Sequence, residues 1–162
     1  MNRLHTERVG CSEHNVAEEN SSPECDIVYL HYVNEQNLGS CPQVKFLIGS
    51  HQYSAILDTG CEVSILSEQL YNELKANGVE NLELPTQNVV LVGAFSRKAH
   101  RVRKQVFVTL KFGDLNIDQV FLVSEQLVTP MLIGYDFCIA NGIILDFQRG
   151  KLILKRDDGQ QR

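Results

Sequence analysis

The chain has 162 residues, 43% of them hydrophobic and 22% charged, the size and balance of one domain that can bury a core without staples. A formal charge of −5 leaves no overall basic field, so nucleic acid is not an expected partner. Cys11, Cys25, Cys41, Cys61 and Cys138 form no even, closely spaced disulfide framework, and no apolar stretch reaches the length of a secretory signal or a membrane span. The expectation is a protein of the cytoplasm with no membrane partner.

Residues 1–26 are mostly Glu, Asn, Ser, His and Arg, too polar to offset the entropy of ordering, and read as a tail or linker. Cys11, His14, Cys25 and His31 mix zinc-ligand types, but their spacing matches no compact ligand-pair pattern, so no metal is expected. Residues 27–43 read as a connecting segment with a strand, 44–155 as the folded domain, and 156–162 as a C-terminal tail. Through the domain, short apolar runs at 44–48, 53–57, 63–66, 89–92, 102–112, 117–123, 131–133, 143–147 and 152–154 alternate with turn signals. That spacing predicts an all-β sandwich or closed barrel. Val106, Val108, Leu110 and Phe112, alternating with Phe107, Thr109 and Lys111, give the period of a strand with one buried face.

Two helical interruptions are expected. The principal one covers 67–77, with Ser67 as N-cap, Glu68 in the first turn, Leu70 and Leu74 on one face and Gly78 as the stop. A shorter one covers 135–140 and ends at Asn141-Gly142.

The sharpest chemical feature is the apolar run Tyr53-Ser54-Ala55-Ile56-Leu57 leading into Asp58-Thr59-Gly60-Cys61-Glu62 and out again into Val63-Ser64-Ile65-Leu66. Asp and Gly are ordinary turn residues, but apolar flanks on both sides fit an exposed hairpin tip poorly. A carboxylate at a strand end is held by ordered backbone, Thr59 adds a hydroxyl, and Gly60 admits close approach by another chain. These are parts for positioned acid–base chemistry on a bound peptide. Downstream, Leu132-Ile133-Gly134-Tyr135-Asp136-Phe137 precedes the closing strands.

With these two motifs in this order, the region from Val44 to Leu154 resembles the retropepsin-like aspartic proteases of retroviruses and LTR retrotransposons, most closely those of insect-type retroelement polyproteins. The resemblance implies a closed, retropepsin-like β barrel acting as a homodimer on extended polypeptide, with no cofactor. It implies Asp58 as the catalytic aspartate, Thr59 and Gly60 as support of the catalytic loop, and Gly60, Cys61, Glu62, Gly93, Ala94 and Phe95 as substrate contacts. Ile133, Gly134 and Asp136 would be the supporting second motif. Residues 89–92 and 102–108 would form the arms of a flap, with 93–100 as its tip. Where the common retroviral pattern has Ala and then an acid after the Gly, Cys61 and Glu62 occupy those places, and Tyr135 stands where an Arg would pair with that acid. The expected ion-pair brace of the loop is therefore missing.

Peptide hydrolysis needs a water made nucleophilic and a leaving nitrogen protonated, work that two carboxylates sharing a proton can do together. The sequence holds a single Asp-Thr-Gly, while Asp136 and Asp146 lie in contexts of structural carboxylates. The twin of Asp58 must then come from a second copy across a two-fold axis. A host-retained, non-catalytic dimerisation or peptide-binding module is the competing expectation, since fold does not fix function. Arg97, Lys98, Arg101, Arg103 and Lys104 read as a solvated strand face. Cys61 reads as a small hydrophobe, without a neighbouring His to activate it.

Overall fold

The computed structural model describes residues 7–10, 24–29, 31–35, 39–79, 82–86, 89–93 and 98–155, with side chains from Pro42 onward except at Leu82 and Lys155. In chain order these form β1 (Glu7–Gly10), β2 (Glu24–Tyr29), β3 (His31–Glu35), β4 (Gly39–Ile48), β5 (His51–Leu57), β6 (Ile65–Ser67), α1 (Glu68–Ala76), β7 (Leu82–Leu84), β8 (Val89–Val92), β9 (Ala99–Val102), β10 (Lys104–Phe112), β11 (Leu115–Ser124), β12 (Met131–Ile133), α2 (Tyr135–Ala140), β13 (Ile144–Asp146) and β14 (Lys151–Lys155). The all-β class with one principal helix, expected from the sequence, is the one the chain adopts.

The largest sheet runs β3-β4-β5-β12-β6-β11-β10-β7, and a further pairing of β4 with β10, at Leu47 and Lys111, closes six of its strands into a barrel. Closure leaves those six strands without a free edge. Val106, Val108, Leu110 and Phe112 of β10 point inward in the predicted alternation. They meet Val44, Phe46 and Ile48 of β4 and Phe121 of β11 in one apolar core. Phe112 stands at its centre, 5.5 Å from the Phe46 ring and 6.2 Å from the ring of Phe137, which α2 inserts from outside the barrel. Each such side chain contributes about 1.5–3 kcal/mol by leaving water.

Helix α1 begins where the sequence places it: the Ser67 hydroxyl accepts from the Leu70 N–H at 3.1 Å, satisfying one of the orphan donors of the first turn. It ends in a Schellman motif, with the Gly78 N–H donating to Lys75 O and the Val79 N–H to Leu74 O. Gly78 takes φ +68° there, the left-handed conformation that glycine adopts without strain. Leu70, Tyr71 and Leu74 are its buried face.

A second sheet, β1-β2-β14-β13, joins strands from the two ends of the chain through five residue pairs between β2 and β14. Part of the polar stretch 1–26 thus lies in backbone strands, namely β1 and the start of β2. The third sheet is the hairpin β8-β9, in register from Val89 opposite Val102 to Val92 opposite Ala99. Its second arm is 99–102, and not the 102–108 expected from sequence. Residues 104–112 instead pair along their whole length with β11. Val102 is buried in phase with Val106 and Val108, so the alternation runs unbroken through Arg103 and hides the boundary between the two strands.

Candidate active site

Strand β5 carries Ala55 and Leu57 into the core and delivers the chain to Asp58 at its end. Its last residues pair in parallel with β12, Ile56 opposite Leu132 and Leu57 opposite Ile133. The Asp58 N–H extends that ladder by one bond, donating to Ile133 O at 2.9 Å. On its other side β12 pairs antiparallel with β6, so the loop 58–64 bridges two strands that flank β12. Within the loop the Gly60 N–H donates to Asp58 Oδ1 at 2.9 Å and the Cys61 N–H to Asp58 O at 3.2 Å. Asp58, Thr59 and Gly60 are all exposed. The result is a carboxylate facing solvent on a loop fixed by its own backbone.

The second motif closes on this loop from behind. Gly134 is buried, and a Cβ placed on it would lie 2.6 Å from the carbonyl carbon and oxygen of Val63 and 2.8 Å from Cys61 O. Only glycine allows that approach. It brings the first amides of α2 onto the loop: the Tyr135 N–H donates to Cys61 O at 2.7 Å and the Asp136 N–H to Glu62 O at 3.1 Å.

The Asp136 carboxylate then takes up the remaining donors. Ser64 Oγ donates to its Oδ1 at 2.7 Å, the Phe137 N–H donates to the same oxygen at 2.8 Å, and Gln119 Nε2 donates to Oδ2 at 2.9 Å. Ser64 Oγ itself accepts from the Gly134 N–H at 3.0 Å. The brace missing at Tyr135, whose side chain is about half exposed at 51%, is thus made by backbone bonds and by Asp136. Gln119 has no place in the sequence-derived set. Its signal was there to read, as a polar residue at an inward position between Ile117 and Phe121 of β11.

Burial first, and then the negative charges of Asp58, Asp136 and Glu62, push the Cys61 thiol up, partly opposed by hydrogen bonding with the Val63 backbone. Burial and the nearby Asp136 raise Cys138 as well. Neither thiol has the electropositive setting of a nucleophile.

Of the remaining predicted site residues, Ile133 is buried, Glu62 is exposed, and Gly93 ends the first arm of the β8-β9 hairpin in the open. Ala94 and Phe95 lie outside the described residues, as do Cys11 and His14, and only the backbone of Cys25 and His31 is described. Among the described residues no group of three or more His, Cys, Asp or Glu could hold a metal ion, and no helix is long and apolar enough to cross a membrane. In the basic stretch Arg101 and Arg103 are exposed, while Lys104 Nζ sits 5.2 Å from the centre of the Tyr71 ring.

A sequence model of the family described as aspartyl protease matches residues 44–137, more than half of the chain. No curated protein matches it. Among solved structures, the chain is similar to the EIAV protease complexed with the inhibitor HBY-793, at 24% identity and a TM-score of 0.50, covering 70% of this chain and 99% of that one. It is also similar to the retroviral protease-like domain of Ddi1 from Leishmania major, at 15% identity and a TM-score of 0.52, covering 75% of this chain and 98% of that one.

Proposed function

Because the chain belongs to the aspartyl protease family and has a retropepsin-like fold, we propose that it is an aspartic endopeptidase whose active form is a homodimer. The observation that carries this reading is a single Asp-Thr-Gly whose carboxylate faces solvent on a loop clamped by the second motif. One carboxylate cannot both activate water and protonate a leaving nitrogen well. Two held together across a symmetry axis can, because like charges so close retain one proton between them. In this reading one Asp58 takes a proton from the water while its protonated twin polarises the scissile carbonyl. Thr59 bonds across to the partner's loop and Gly60 meets the substrate backbone.

The hairpin β8-β9 is the flap, with Gly93, Ala94 and Phe95 covering an extended peptide that also contacts Cys61 and Glu62. The catalytic unit is 44–155, which the preceding segment joins through the pairing of β2 with β14 and of β3 with β4, and a short tail follows. The substrates are cleavage sites of a retroelement polyprotein of the insect type, cut in the cytoplasm or inside a virus-like particle.

The test is incubation of purified protein with a peptide library at mildly acidic pH, with and without pepstatin, beside Asp58→Asn. Cleavage is expected on the acid side of neutral, blocked by the inhibitor and abolished in the variant while the dimer persists in sedimentation. Full activity in Asp58→Asn overturns the mechanism. Tyr135, in the place of the family's Arg, favours one competing reading, a host-retained module that binds peptide without cutting it. That reading predicts peptide binding with no product under any of these conditions.

A further inference from the structure

We propose that Gln119 is a positioning residue for the reaction, holding the loop of Asp58 in place through the Asp136 carboxylate. The inference rests on the aspartic reading for its kinetic part and on geometry alone for its structural part. Gln119 is 7% exposed, and a buried amide is costly unless its donors are used. Both are: Nε2 donates to Val120 O and to Asp136 Oδ2, each at 2.9 Å. The first bond fixes the amide to its own strand, and the second directs it at the second motif.

Asp136 in turn ties three segments together, β11 through Gln119, the candidate loop through Ser64, and the start of α2 through the Phe137 N–H. All three groups bonded to the carboxylate donate to it, as its acceptor-only oxygens require. The loop has a second tie to β11, from the Leu122 N–H to Ser64 O at 3.0 Å. What Gln119 adds is sideways restraint of the carboxylate on which Ser64 leans. Without it Asp136 can rotate, and Ser64, Gly134 and the loop carrying Asp58 lose their common reference. A displacement of about 1 Å in a reacting group costs on the order of a hundredfold in rate.

The experiment compares Gln119→Leu, Gln119→Glu and the exchanged pair Gln119→Glu/Asp136→Asn with wild type. It reads kcat and KM on a cleaved peptide across pH, and backbone amide exchange by segment. For Gln119→Leu we expect kcat to fall about ten- to a hundredfold with KM within about twofold of wild type. Amides at 60–62 and 134–136 should exchange faster while those at 106–112 keep their protection. Gln119→Glu sets two carboxylates face to face. It should lose activity near neutrality and regain it relative to wild type as pH falls and the pair takes up a proton. The exchanged pair restores a donor opposite an acceptor between 119 and 136, though not the bond to Val120 O, and should recover kcat in part, above that of Gln119→Glu alone.

Wild-type kcat in Gln119→Leu, an unaltered pH profile in Gln119→Glu, or faster exchange spread evenly into 106–112 would each overturn the proposal, the last by making Gln119 a general stability residue. If wild type cuts no peptide, the aspartic reading is what fails. Exchange at 60–62 and 134–136 then decides on Gln119 by itself.

Discussion

Gly134 is the residue on which two distant parts of the sequence meet, and it makes the sharpest test of the loop's construction. Gly134→Ala drives a methyl into backbone atoms of Val63 and Cys61 that cannot turn aside. Overpacking of this kind costs about 1–3 kcal/mol. We expect a lower denaturant midpoint together with loss of any peptidase activity, read by chemical unfolding and by peptide cleavage. At Cys61 the raised thiol leaves less thiolate at a given pH than a free cysteine has. Alkylation by iodoacetamide should therefore be slower than for free cysteine at neutral pH and accelerate as the solution is made alkaline, followed by mass spectrometry. Asp58 was legible in the sequence because an apolar strand ran straight into Asp-Thr-Gly, a local pattern. Gln119 was legible only as a polar residue at an inward position of β11; its partner was not, because that depends on which face of β11 looks toward Asp136, a fact of barrel closure that no short window contains.

Among the elements, α1 was readable to its caps, since Ser67 and Gly78 act on neighbours a few residues away. Ser67→Ala should cost about 1 kcal/mol of stability, seen as a small fall in the denaturation midpoint with the fold unchanged. The helix is also tied outward: Tyr71 donates its hydroxyl to Glu83 and receives the ammonium groups of Lys75 and Lys104 against its ring. Lys104 therefore packs on α1 and is not part of a merely solvated strand face. The hairpin was legible as a hairpin, but its second arm was misplaced, because periodicity measures phase and Arg103 interrupts the strand without shifting it. Phe112→Ala tests how far the core supports α2. Removing a ring that touches both Phe46 and Phe137 should cost about 3–5 kcal/mol, measured by thermal unfolding, and faster amide exchange in α2 should accompany it.

At the scale of the molecule, the proposed enzyme works only as a pair, and mixing reveals this more directly than sizing. Adding Asp58→Asn protein to wild type should depress activity by more than simple dilution does, because mixed dimers carry one carboxylate. A strictly proportional fall would mean that each chain acts alone. The barrel joins positions far apart in sequence: Leu47 opposite Lys111, and Ile56 and Leu57 alongside Leu132 and Ile133. The loop of Asp58 is anchored from outside by Ile133 O and by the amides of Leu122, Gly134, Tyr135 and Asp136. During synthesis the ribosome delivers Asp58 long before it delivers those anchors, and pairing between such remote segments is slow to form. The loop of Asp58 therefore gains its full set of bonds only after α2 has emerged and docked, so that in the proposed enzyme the carboxylate is positioned late in the chain's synthesis.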